Sequence, residues 1–159
     1  MSTADWIQTF ALIVALFALL ISIFFNRKQL KIFNDQLRLN FFADYTKRYQ
    51  EIVLNFPEDI NQPDFDYGKL SDEVRNKTLR YMRVYFDLCS EELHLWKNGN
   101  IENETWKNWQ EGIEFAFSKK AFRDAWKIIK LDTIYYPDFS KWVTEITSKY
   151  EVTENTISE

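Results

Sequence analysis

Residues Asp5–Leu30 read DWIQTFALIVALFALLISIFFNRKQL, and the fold turns on how this stretch is read. Trp6 to Phe25 contains no charge and only three polar residues, Gln8, Thr9 and Ser22. At 1.5 Å per residue, about twenty residues make a helix about 30 Å long, the thickness of a bilayer's hydrocarbon core. Lipid offers no water to satisfy backbone N–H and C=O groups, so a lone spanning segment must be a helix. A secretory signal peptide has a basic start, a shorter apolar centre and a small-residue cleavage site. Asp5 before the run and Phe24-Phe25-Asn26-Arg27-Lys28 after it fit none of these. Residues 1–25 are therefore predicted to be a retained transmembrane anchor.

Arg27, Lys28 and Lys31 follow the span, whereas Asp5 precedes it. By the positive-inside rule this bias predicts a single-pass protein, amino terminus outside and carboxy-terminal domain in the cytoplasm. Trp6 suits the outer interface. The lipid bilayer is the first expected partner, because the three cations also suit anionic headgroups, at roughly 1 kcal/mol each near the surface.

One stripe of the anchor differs from the rest. Gln8, Ala11, Ala15, Ala18 and Ser22 recur at helical spacing, and Asn26 and Gln29 extend the line. Small residues let helix backbones approach closely, and Ser or Gln can hydrogen-bond across the contact. Three readings stand: the seam of a homo-oligomer, the lining of a narrow lumen in a ring of copies, or an accident of Ala being common in anchors.

No breaker separates the anchor from the next segment. Leu30, Phe33, Leu37, Phe41, Tyr45, Tyr49, Ile52 and Phe56 follow at spacings of three and four, which predicts an amphipathic helix rather than a strand. Residues 26–56 are read as a stalk that becomes the first bundle helix, continuous with the anchor from about Trp6 to Phe56. Two prolines, a glycine and several acids make 57–72 an acidic surface loop. Ser71 and Asp72 start a second helix that Asn98-Gly99 ends near Lys97. Further helices are expected at Glu102–Phe117, Lys119–Lys130 and Ser140–Tyr150, so 73–150 forms a cytoplasmic helical bundle and 151–159 a polar tail. The predicted fold class is all-α.

Composition agrees with that architecture. The chain has 159 residues, room for one domain, and roughly 130 of them beyond the anchor can close one small helical core. Aromatics make up 18%, and since each buries a large area, a few can fill such a core. The net charge of −4 gives no basic field for nucleic acid. The single Cys89 reads as a small apolar residue on the reducing side of a membrane.

The chemistry-bearing residues are sparse. One His and one Cys cannot supply the usual structural zinc sets. Gly68, Gly99 and Gly112 are too scattered for a phosphate loop. No metal or cofactor is expected, and no catalytic set. The best polar constellation is Arg83, Asp87, Glu91 and His94 on the second helix, with Arg80 nearby. It reads either as a ribonuclease-like site or as a solvated face with ion pairs one turn apart. A third possibility is that the aromatics form a groove for a nucleotide or RNA, although their spacing follows the core-facing stripes.

The run LRYMRVYFDLCSEELHLWKNGNIENETWKNWQEGIEFAFSKKAFRDAW, preceded by NFFADYTKRYQEIVLNFP, resembles a widespread family of small bacterial single-span membrane proteins with a helical cytoplasmic domain. That family has no established catalytic residues to carry over. In layout and size the chain is also similar to the membrane accessory protein of type VI-B CRISPR systems. That resemblance implies a homo-oligomeric membrane pore that strengthens antiviral defence beside a cytosolic RNA-guided effector complex, and a helical domain likened to HEPN. In HEPN nucleases four to six residues separate an Arg from a His. Ten residues separate Arg83 from His94, which removes the nuclease inference. The expected function is thus a membrane-anchored, self-associating, non-enzymatic defence accessory. A passive tether for a cytosolic partner and a divergent HEPN-like RNA-binding or ribonuclease domain are the alternatives.

Overall fold

The computed structural model describes residues 2–157, with side-chain surroundings described through Tyr150. The fold is all-helical, without a strand among the described residues. Its elements are α1 (Thr3–Val53), α2 (Asp72–Lys97), α3 (Asn103–Phe117), α4 (Lys120–Ile129) and α5 (Pro137–Ile157), with a short 3-10 turn at Tyr67–Lys69 before α2. Two compact units divide it, Met1–Lys47 and Arg48–Glu159.

The first unit is helical from Thr3 onward. Its start is set by a reciprocal cap. The Ser2 N–H donates to the Asp5 carboxylate at 2.7 Å, and the Asp5 N–H donates to the Ser2 hydroxyl at 3.3 Å. This arrangement satisfies two donors that a helix start otherwise leaves orphaned, so α1 begins ahead of the expected Trp6. The helix also stops short of the expected Phe56. Pro57 disfavours helical backbone at the residue before it, and the chain leaves α1 through turns at Leu54 to Phe56.

In the second unit α2 packs against α3, α4 and α5. A helix with neighbours on several sides needs more than one apolar stripe. Met82, Tyr85, Phe86, Leu88, Cys89 and Leu93 are accordingly all buried on α2. Phe86 stacks on Phe117, with ring centroids 5.4 Å apart, while the Trp126 indole meets Phe86 edge-on at 5.4 Å. Phe139 and Val143 bring α5 into the same core. Arg123 is buried and donates to the carbonyls of Phe117 and Ser118 at 3.1 and 2.6 Å. It thereby covers the carboxyl end of α3, where free carbonyls favour a cation.

The acidic segment before α2 is more than a surface loop. It buries Ile60, Phe65 and Tyr67, and the Tyr67 hydroxyl donates to the Ala121 carbonyl at 3.2 Å. Asp66 caps its 3-10 turn by accepting from the Gly68 N–H at 2.8 Å. Ser71 caps α2, accepting from the Val74 N–H. Gly99, at φ 74°, provides the left-handed residue just after the helix's end. At the other end of the bundle, helical backbone continues past Tyr150 to Ile157.

Candidate functional site

Gln8, Ala11, Ala15, Ala18, Ser22, Asn26 and Gln29 are all exposed along α1, as are Arg27, Lys28 and Lys31. The large apolar residues around that stripe are exposed too, from Trp6 to Phe25. One helix near the amino terminus is long and apolar enough to cross a membrane, and its most apolar part is not buried by any of the described residues. Water around such a surface is unfavourable on every face, not along one stripe.

The polar constellation on α2 is a row of separate pairs. Arg83 grips Asp132 through both guanidinium ends, at 2.8 and 3.0 Å, and also donates to the Thr133 hydroxyl. This hydrogen bonding holds the Asp132 carboxyl below its usual range. Glu91 accepts from Arg48 of α1 at 3.0 Å. His94 stacks on Tyr136, with ring centroids 4.1 Å apart, and lies 3.0 Å from the Asn98 amide nitrogen. Asp87 is half-buried, and its carboxyl is raised by loss of water and by Glu91, against a lowering by Arg83. Arg83 and His94 are eleven residues apart on one helix, about 16 Å along its axis. Acid–base work on one phosphate needs both within hydrogen-bond reach of the same atoms, and these two side chains are engaged in different places.

Sequence reasoning missed Glu92. It is buried on the α2 face that also carries Tyr85 and Cys89. Burial pushes its carboxyl up to about 8, with Arg48 pulling it back and Glu91 adding to the rise. The same burial raises the Tyr85 phenol and the Cys89 thiol. Cys89 is therefore held as a thiol, the unreactive form. The signal was present: Glu92 falls in helical register with Tyr85, Cys89 and Trp96. This cluster can hold or release a proton near neutral pH, but it presents no nucleophile.

Among the described residues no three His, Cys, Asp or Glu side chains gather as a metal site. No family model matches the chain, and no curated protein or solved structure matches it significantly.

Proposed function

We propose that the chain is a membrane-anchored, self-associating, non-enzymatic protein. The apolar half of α1 spans the bacterial inner membrane, the bundle lies on its cytoplasmic side, and copies meet along Gln8, Ala11, Ala15, Ala18 and Ser22. Assembled anchors permeabilise the membrane as an accessory of antiphage defence, alongside a cytosolic partner such as an RNA-guided complex. The observation that carries this reading is the apolar half of α1, exposed on all faces and covered by none of the described residues. The small-residue stripe supports association, and the resemblance in layout to the CRISPR membrane accessory protein supports the defence role. The engagement of Arg83 by Asp132 and of His94 by Tyr136 favours this reading over a ribonuclease.

Association is tested by native mass spectrometry of the detergent-extracted chain. Multimers are expected, and Ala15→Leu with Ala18→Leu should shift them toward monomer. A monomer before and after the change contradicts the reading. Membrane potential on overexpression separates a pore from a passive tether, since only a pore depolarises cells.

A further inference from the structure

Residues of α2, α3 and α5 enclose a cleft of about 320 Å³, lined by Trp96, Trp106 and Trp142 above Leu93. Trp96 and Trp106 stack nearly parallel, with ring centroids 5.1 Å apart, and Trp142 lies 5.6 Å from Trp106 at 54°. The Trp96 indole N–H donates to Asn103 at 2.9 Å, which fixes its plane. Trp106 is buried, whereas Trp96 and Trp142 keep part of their indoles open to solvent.

The charges on this cleft are balanced, and Lys141 adds to Lys97 in holding the Asp138 carboxyl below its usual range. Lys97 and Asp138 neutralise each other at 2.6 Å. Lys141 and Glu145 line the same cleft, are exposed, and make no ion pair among the described residues. They sit one turn apart on α5, but Lys ahead of Glu is the weaker orientation for a helical pair. Gln110 donates its amide N–H to Glu114 at 2.8 Å, and its carbonyl oxygen can still accept.

We propose that this cleft binds a small zwitterion, its ammonium against the Trp96 and Trp142 indoles and the Glu145 carboxylate, its anionic group on Lys141. Indole faces attract cations, and quaternary ammonium groups, which lose little hydration on leaving water, are a common ligand of aromatic cages. The volume lies at the lower end of ligand sites, about 300–1,000 Å³, so the ligand is headgroup-sized. A nucleotide fits the balance poorly, because its several negative charges meet as many carboxylates as lysines. Phosphocholine and phosphoethanolamine have the right chemistry, whether as the headgroup of a phospholipid or as free solutes. The inference rests on the bundle alone and stands apart from the role of α1.

The test is calorimetric titration of the full chain in maltoside micelles with phosphocholine, with choline and methyl phosphate as its two halves. Saturable binding is expected, weakened roughly tenfold or more by Lys141→Ala and by Glu145→Gln. The first should act on methyl phosphate and the second on choline. Both positions are exposed, so circular dichroism should show the fold intact. Repeating the titration in nanodiscs separates the sources. Loss of binding in phosphatidylethanolamine but not in phosphatidylglycerol discs assigns the lipid headgroup, and binding retained in both assigns the free solute. Absence of saturable binding, indifference to both substitutions, or tighter binding of AMP than of phosphocholine overturns the proposal.

Discussion

Phe17 and Phe86 are the same residue in the same secondary structure, yet Phe17 is 62% exposed and Phe86 is 0% exposed. The difference lies in their neighbours along the chain. Around Phe86 the apolar residues share α2 with Lys77, Arg83, Asp87 and Glu91, so part of the helix suits water and the rest suits a protein core. Around Phe17 every face is apolar, the pattern of a membrane span or of a helix at the centre of a large protein. In the bundle, water is excluded by α3, α4 and α5. Along Trp6–Phe25 none of the described residues does that work. One apolar helix is completed by its own bundle, and the other is left uncovered by the described residues.

Substitutions should respect that separation. Phe86→Ala removes a fully buried ring stacked on Phe117 and should cost the bundle about 3–5 kcal/mol. A fall in the denaturation midpoint of the detergent-solubilised chain would register it, while Phe17→Ala should leave that midpoint in place. Leu16→Arg should do the reverse. A cation at the centre of a span costs about 2.5–3.5 kcal/mol of insertion, so the membrane-integrated fraction falls while the bundle's melting is unchanged.

The pH response belongs to the bundle and is of the order of a few kcal/mol or less. Glu92 is raised from 4.5 to about 8 in the fold, so the folded state binds the proton more tightly than the unfolded chain. Its contribution is therefore fully present below about 4.5 and lost as pH rises through about 8. Arg48 and Tyr49 face this site from α1, and Tyr85, Cys89 and Glu91 accompany it on α2. The wild-type melting temperature should fall more across that window than that of Glu92→Gln; parallel profiles would refute the assignment. Arg83→Ala should have the smallest effect. Asp132 is exposed and solvent screens the pair, so calorimetry should register a shift of a few degrees at most.

How far this was legible from residues alone depends on where the signal lies. Ser71 and Asn98-Gly99 mark α2 because caps and left-handed stops are local chemistry, and both are used in the structure. The start of α1 was missed because Ser2 and Asp5 look like an ordinary polar flank until their reciprocal bonds are seen. The start of α5 was placed too late because Pro137 reads as a breaker, whereas its fixed φ and missing N–H suit a first helical position. The acids of 57–72 hid Ile60, Phe65 and Tyr67, whose burial depends on residues such as Ala121 far along the chain. The same holds for the α2 polar row. Its members could be placed on one helix, but Asp132, the partner of Arg83, lies 49 residues away, and no spacing rule connects them.

The central claim is that the apolar half of α1 is completed by lipid. Alkaline carbonate extraction of membranes from cells producing the full chain tests it most directly. Intact protein is predicted to stay with the membrane pellet, and a Leu16→Arg, Leu19→Arg double variant to leave it. Recovery of the intact wild-type chain in the washed supernatant would contradict the account.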